Sequence, residues 1–147
     1  VLCPIGGGGL ISGTVTAAKG VKPGIRVVGV EPAGADDAWR SFKSGSIVPV
    51  TKPETIADGL RGALSERTFG VIRRDVDDIV TVSEAGICRA MRSIWEVLKI
   101  IVEPSAAVAY AAVVERKIDV AGKRVGLILT GGNLDLDSLP WMSNEVL

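Results

Sequence analysis

Four consecutive glycines, Gly6 to Gly9, constrain the fold of this chain more than any other feature. They follow a short apolar run at 1–5 that predicts a strand, and they precede a stretch at 10–19 that predicts a helix. One or two glycines satisfy a tight turn, so four favour a loop whose backbone N–H groups surround an anion. Because the loop opens a helix, a phosphate is the expected occupant.

Strands and helices alternate along the rest of the sequence. The predicted strands are 1–5, 25–30, 79–82 and 124–129, and the predicted helices are 10–19, 36–43, 83–102 and 105–117. This order predicts an α/β fold, a mostly parallel, twisted sheet with helices on both faces. Ligands bind outside the carboxyl ends of such strands, where the four glycines, Glu31 and Thr130 all fall.

Composition narrows the possible functions. The chain has no histidine, so it supplies neither an imidazole base for a nucleophile nor an imidazole ligand for zinc. Lys+Arg and Asp+Glu both number 17, which favours neither a nucleic acid nor an anionic membrane as a partner. No apolar run reaches the roughly 18 residues of a membrane span. The two distant cysteines, Cys3 and Cys88, predict no disulfide, and we expect a reducing cytoplasm.

The phosphate compound stays open on this evidence. Glu31 at the end of the second strand also suits a nucleotide- or dinucleotide-binding oxidoreductase domain. The G-x-G-x-x-G spacing fails, because frames that start at Gly6, Gly7 or Gly8 meet Ile11, Ser12 or Leu10 where glycine is required. No Gly-Lys-Ser/Thr follows, so a P-loop fails as well. A non-catalytic module that binds a phosphate ligand is a third alternative.

Several acids have an ordinary structural interpretation. Glu31, Asp36 and Asp37 could bind Mg²⁺ or Ca²⁺, but capping of a helix by Asp36 or Asp37 is the more common arrangement. By the same reasoning Glu103, before Pro104, is a helix-start acid.

Five segments occur in order along nearly the whole chain: PIGGGGLISG at 4–13, VEPAGADD at 30–37, TIADG at 55–59, VEPSAA at 102–107 and LTGGN at 129–133. Together they resemble the C-terminal half of fold-type-II pyridoxal-phosphate enzymes, the serine/threonine dehydratase and serine racemase family. Each segment alone is a weak signal, but five in the family's order are specific.

The resemblance implies that this chain is part of the large domain of such an enzyme. It implies that Gly6 to Gly9 and the Leu10 amide hold the phosphate of pyridoxal 5'-phosphate (PLP). It places the Gly59 backbone and Glu103 near the pyridine ring, and it places the Thr130 hydroxyl at the pyridine nitrogen. A neutral hydroxyl there leaves the ring nitrogen largely unprotonated and the cofactor a milder electron sink.

The stretch from Glu31 to Asp37 resembles the divalent-cation site of serine racemases and hydroxyaspartate dehydratases. The resemblance implies that Glu31, the Ala35 carbonyl and Asp37 bind Mg²⁺, with Mn²⁺ and Ca²⁺ as alternatives. The activity it implies is β-elimination or racemisation of β-hydroxy amino acids such as serine, threonine or 3-hydroxyaspartate.

The family's Schiff-base lysine belongs to the N-terminal half, which this chain does not contain. Ser41-Phe42-Lys43 imitates the lysine motif but follows the acidic stretch, so we interpret Lys43 as a solvated lysine. The sequence opens on Val1 inside a predicted strand. We therefore expect residues 1–147 to form a single domain, the C-terminal portion of a longer enzyme. We expect this portion to contain no catalytic residue and to be inactive alone. We expect the full-length enzyme to form a homodimer.

Overall fold

A computed structural model describes residues 1–142 of the chain. Three parallel strands form a sheet in the order β1-β2-β3. In chain order the elements are β1 (Leu2–Pro4), α1 (Gly9–Val21), β2 (Val28–Pro32), α2 (Asp37–Ser44), a 3-10 turn (Asp58–Leu60), α3 (Glu66–Asp75), β3 (Asp78–Val82), α4 (Glu84–Leu98) and α5 (Pro104–Val114). The predicted α/β class and parallel sheet are confirmed.

Helices cover both faces of the sheet. Val28 and Val30 of β2 point into a core shared with α4 and α5. Cys3 of β1 and Ile79 of β3 point into a second core, shared with α1, α2 and α3. Successive residues of a strand face opposite sides, so each strand contributes to both cores. Burial of the strands on both sides is what a parallel sheet requires.

The helix α4 begins as the sequence predicts but ends early. The Ser83 Oγ accepts the Gly86 backbone N–H at 3.0 Å and caps the helix. Lys99 ends it with a left-handed φ of 59°. The prediction that the helix extends to 102 is wrong, and Ile101 lies beyond it with 58% of its surface exposed. Pro104 holds Glu103 in an extended conformation and so requires the helix to end before that residue, and the left-handed Lys99 ends it four residues earlier.

The helix α3 was not predicted from the sequence. Ser65 caps it in a reciprocal arrangement with Thr68, and Phe69, Ile72 and Val76 bury its apolar side. The spacing of those three residues by 3 and 4 is a helical signal that the sequence contains.

Residues 124–129 form much less of a strand than predicted. A single parallel bridge joins Leu127 to Leu2, and residues 124–129 are half-buried or exposed. The prediction of a buried strand is wrong for this structure, because only β1 lies beside the segment in the described part of the chain.

Other boundaries differ by a few residues. The strand β2 begins at Val28 instead of 25 and includes Glu31 and Pro32. The helix α5 ends at Val114 instead of 117. Among residues 1–142, no helix has the length and apolar character to cross a membrane.

Candidate active site

The glycine loop, residues 6–9, connects β1 to α1 at the carboxyl end of the sheet. The first helical hydrogen bond runs from the Ser12 N–H to the Gly8 carbonyl at 3.1 Å. Within residues 1–142, no hydrogen bond uses the backbone N–H of Gly7, Gly8, Gly9 or Leu10. The first turn of α1 contains no acidic side chain. Free donors at the positive end of a helix provide a site for an anion.

Gly8 is fixed by both its backbone and its neighbours. Its φ is +83°, a left-handed conformation that favours glycine. A Cβ at this position would lie 2.8 Å from the Thr68 Cβ and 2.9 Å from the Leu64 Cδ2. The glycine loop therefore takes its shape partly from Thr68 of α3 and from Leu64, two residues before that helix. The sequence analysis did not predict α3.

Gly59 lies between the glycine loop and the start of α5. A Cβ on Gly6 would lie 3.1 Å from the Gly59 carbonyl oxygen, so the two backbones are in close contact. The Gly59 N–H donates to the Ser105 Oγ at 3.1 Å and to the Asp58 Oδ1 at 2.9 Å. Ser105 is a buried positioning residue that the sequence analysis did not single out, although it lies in the segment 102–107.

Glu103 holds the turn at 130–133. Its backbone N–H donates to the Gly131 carbonyl at 2.9 Å, and its Oε2 accepts the Asn133 N–H at 3.1 Å. A Cβ on Gly131 would lie 2.7 Å from the Glu103 Oε1. Glu103 is the N-cap residue of α5, so its interpretation as a helix-start acid is confirmed, but its side chain makes no capping hydrogen bond and binds the 130–133 turn instead.

These contacts bring the predicted cofactor-binding positions together. The glycine loop contacts Gly59, Gly59 binds Ser105, and Glu103, two residues away, binds the turn that carries Thr130. Thr130 is exposed, and no hydrogen bond within residues 1–142 uses its hydroxyl. We call this linked set of residues, from the free donors of the glycine loop to the segment that carries the Thr130 hydroxyl, the site surface.

Glu31 caps α2 from the preceding strand. It is fully buried, and its carboxylate accepts the backbone N–H groups of Ala38 at 3.0 Å and Trp39 at 2.7 Å. Neither aspartate caps the helix as expected, since Asp36 makes no side-chain capping bond and pairs with Arg40 at 2.8 Å. The prediction that Asp36 or Asp37 caps the helix is therefore wrong, because Glu31 caps α2 instead.

A second buried carboxylate lies beside Glu31. Asp37 accepts the Leu64 N–H through Oδ2 at 3.3 Å, while its Oδ1 is buried without a hydrogen-bond partner in the described chain. Burial, together with the smaller effect of the negative charges of Asp37 and Asp36, raises the pKa of Glu31 to about 8, although the two backbone donors act to lower the pKa. Burial also raises the pKa of Asp37.

This pair fits a cation chemically. Two buried carboxylates with a free oxygen gain from a divalent ion that neutralises their charge. Among residues 1–142, no three His, Cys, Asp or Glu side chains group to hold a metal, so the implied set depends on two carboxylates and the Ala35 carbonyl.

The remaining predicted groups lie away from this surface or serve packing. Lys43 is exposed and lies 3.6 Å from the Asp78 carboxylate, in agreement with its interpretation as a solvated lysine. Cys3 and Cys88 are buried free thiols, in agreement with the prediction of no disulfide.

Comparison with known proteins identifies the family. The profile described as "Pyridoxal-phosphate dependent enzyme" matches residues 1–131, most of the chain. The chain belongs to the pyridoxal-phosphate dependent enzyme family. Family membership agrees with the resemblance found in the sequence, and it favours PLP over a dinucleotide as the phosphate compound of the glycine loop.

Relatives within this family include dehydratases, racemases and deaminases. A β-hydroxyaspartate dehydratase of Paracoccus denitrificans is 49% identical over 96% of this chain and 45% of its own length. The structure of maize serine racemase matches with a TM-score of 0.88 at 42% identity, over 96% of this chain and 46% of the racemase. The structure of a threonine deaminase from T.th. matches with a TM-score of 0.85 at 44% identity, over 91% of this chain and 44% of the deaminase. The chain thus spans less than half the length of each.

Proposed function

We propose that the chain is the C-terminal, cofactor-binding portion of an enzyme that eliminates water and ammonia from β-hydroxy amino acids, or racemises them, with PLP. The observation that carries the proposal is the glycine loop, whose unused N–H groups lie at the positive end of α1 in a chain of the PLP-dependent family. The portion that the relatives contain beyond this match would supply the Schiff-base lysine.

The residues of this chain would bind and orient the cofactor. The N–H groups of Gly7, Gly8, Gly9 and Leu10 would donate to the phosphate oxygens, and the dipole of α1 would favour their negative charge. When bound, PLP supplies an electron sink for the charge left at Cα after proton loss. The backbone at Gly59, fixed by Ser105, would contact the ring on one side.

The two polar groups at the far end of the surface have different roles. Thr130 would hydrogen-bond the pyridine nitrogen and, being neutral, would not hold a proton there. Glu103 would keep the 130–133 turn in place through the Asn133 N–H. With this weaker electron sink, the negative charge at Cα would be used promptly, by loss of a β-hydroxyl or by reprotonation at Cα. Reactions that must hold the charge for longer would be less well served.

The substrate class follows from the relatives. Their names mention hydroxyaspartate, serine and threonine, all β-hydroxy amino acids. We assign the same class of small amino-acid substrate to this enzyme. The N-terminal portion would carry the covalent lysine, so we expect the 147-residue chain to be inactive alone.

The divalent cation is also a proposal. Glu31, Asp37 and the Ala35 carbonyl would bind Mg²⁺, with Mn²⁺ or Ca²⁺ as alternatives and water in the remaining positions. The buried, unpartnered Asp37 Oδ1 supports it. Since Asp37 also binds the Leu64 N–H, the cation would stabilise the chain that leads into α3 and so the glycine loop.

We further propose a homodimer in the cytoplasm for the full-length enzyme. The buried free thiols of Cys3 and Cys88 suit a reducing compartment.

A chimera tests the function. The part of the Paracoccus denitrificans dehydratase that lies outside the match would precede residue 1 of this chain. Serine, threonine and 3-hydroxyaspartate would each be assayed for release of keto acid and ammonia, and for inversion at Cα, with PLP, in Mg²⁺ or in EDTA. We expect turnover of at least one of the three and none by the 147-residue chain. A chimera that binds PLP but turns over none of them would contradict the proposal.

A further inference from the structure

Arg61 is a cation beside the glycine loop. The Cα of Leu60, the residue before it, lies 3.0 Å from the position of a Cβ on Gly6. A Cβ on Gly62, the residue after it, would lie 3.5 Å from the Gly7 nitrogen. The Arg61 side chain is exposed, and it makes no ion pair with any Asp or Glu in the described part of the chain. Its charge is therefore available to an anion near the loop.

The guanidinium of Arg61 is held in place through one edge. Its Nε and Nη2 both donate to the Thr55 carbonyl, at 3.2 Å and 2.6 Å. Thr55 is buried, and the N–H of the next residue, Ile56, donates to the Glu84 Oε2 at 2.8 Å. A guanidinium has five N–H donors, and the bonds to Thr55 use two of them. An arginine anchored in this way presents its other donors already oriented, which reduces the entropy lost when an acceptor binds.

The acidic side chains of the site surface would repel a substrate that carries an extra negative charge. The site surface comprises residues 6–10, 58–60, 103–105 and 130–133. Its side chains with a formal charge are Asp58 and Glu103, and both are acids. Like charges at close range raise the free energy of binding. Arg61 directly follows 58–60, so its positive charge lowers this repulsion.

We propose that the free donors of Arg61 bind a second carboxylate on the substrate, so that the enzyme prefers 3-hydroxyaspartate to serine and threonine. The inference rests on the proposed function and narrows its substrate class. Of the three substrates, 3-hydroxyaspartate alone has this second carboxylate. Parallel N–H groups of a guanidinium match the two oxygens of a carboxylate. The phosphate already has the four backbone donors of the glycine loop, which leaves Arg61 for the substrate.

Steady-state kinetics of the chimera described above test this preference. Arg61→Gln should lower kcat/KM for 3-hydroxyaspartate by roughly 10- to 100-fold, mainly through KM, because a bond between charged groups is lost. It should change kcat/KM for serine and threonine by no more than about 3-fold. Arg61→Lys, which keeps the charge, should restore part of the loss. The Paracoccus denitrificans portion is the same in every variant, so its own contacts cancel in the comparison.

The ratio of kcat/KM for 3-hydroxyaspartate to kcat/KM for serine is the decisive quantity. Arg61→Gln also removes the bonds to Thr55, and a loosened loop would slow every substrate alike without changing this ratio. The matched control is Arg124→Gln, at an exposed arginine three residues before Leu127. The bridge from Leu127 to Leu2 places Arg124 at the amino end of the sheet, away from the glycine loop, and the ratio should not change.

A binding measurement separates this inference from the proposed function. Succinate has two carboxylates and propionate has one, and neither can lose a β-hydroxyl. Calorimetric titration of the chimera with PLP bound should show succinate binding at least 10-fold more tightly than propionate. Arg61→Gln should remove most of that difference, and Arg124→Gln should keep it.

Four results would overturn the role of Arg61. They are an unchanged kinetic ratio in Arg61→Gln, an equal change of the ratio in Arg124→Gln, turnover of serine or threonine without turnover of 3-hydroxyaspartate, and weaker binding of PLP with an equal loss for all three substrates. The last result would place the guanidinium at the phosphate.

Turnover with an unchanged ratio would reject the role of Arg61 and leave the proposed function in place. A preference for succinate that depends on Arg61, in a chimera without turnover, would reject the function and leave the carboxylate site in place.

Discussion

At the scale of single residues, Gly8 is the position in the glycine loop where the backbone conformation and the neighbouring atoms most strongly restrict the side chain. Its left-handed φ of +83° and the close approach of Thr68 both exclude a Cβ. Four glycines in the sequence indicated a special loop, but they did not show which of them has no room. That depends on α3, which is distant along the chain.

Replacement of Gly8 by alanine should therefore damage the loop. A residue forced into this conformation costs on the order of 1–3 kcal/mol, and the contact with Thr68 adds to it. Chemical denaturation of Gly8→Ala should show this loss, and PLP should bind at least 10-fold more weakly. The control is Gly13→Ala in α1, where a Cβ meets no atom within 4 Å. It should raise the free energy of unfolding by up to about 1 kcal/mol, and equal stability of the two variants would contradict the explanation.

Asp37 is the residue whose free oxygen supports the cation. Mg²⁺ at about 100 times its Kd would add about 2.7 kcal/mol to the free energy of unfolding. The melting temperature of the chain should rise by roughly 5–10 °C with Mg²⁺, and EDTA should reverse the rise. Asp37→Asn should remove the effect. Asp119→Asn, at an exposed aspartate paired with Lys123, should keep it. A Mg²⁺ response that is equal in the two variants would place the ion elsewhere.

At the scale of elements, α4 is joined to α5 by a polar contact at its first turn. The Ser83 Oγ caps the helix through the Gly86 N–H and also donates to the Glu115 carboxylate. Glu115 accepts the Ser83 backbone N–H at 3.3 Å as well. Since Glu115 lies just after α5, these bonds fix the start of α4 against the end of α5.

Ser83→Ala should cost about 1 kcal/mol through loss of the cap, and Glu115→Ala should cost a similar or larger amount. Because the two side chains bond each other, the double variant should cost less than the sum of the single variants, by about 0.5–1 kcal/mol, since the shared bond cannot contribute more than the single loss at Ser83. Urea denaturation of the four proteins measures this coupling. Strict additivity would show that the two residues act independently. Arg92→Ala, which removes an exposed pair with Glu96, should change stability by only about 0.5 kcal/mol.

The elements also show how far sequence reasoning reaches. The class of the fold, the start of α4 at Ser83 and the loop before α1 follow from local patterns of apolar residues, caps and glycines. The roles of Glu31 and Glu103 do not follow from local patterns, because each side chain binds backbone groups that tertiary folding brings near. Residues 125–129 show the same limit, since burial of a strand depends on neighbours as well as on its own residues.

At the scale of the whole molecule, the surface from the glycine loop to Thr130 requires both halves of the sequence. Residues 6–10 supply the donors, residues 58–60 and 103–105 lie beside them, and residues 130–133 close the far end. A chain that contains all of these groups should bind the phosphate of PLP even without the lysine.

The most direct test is ³¹P NMR of PLP titrated with the 147-residue chain. The account predicts that the phosphate resonance shifts and broadens, that inorganic phosphate reverses the change, and that Gly8→Ala weakens it at least 10-fold. NAD added in place of PLP should show no such binding. An unchanged PLP resonance together with binding of NAD would contradict the account, since the glycine loop would then belong to a dinucleotide site.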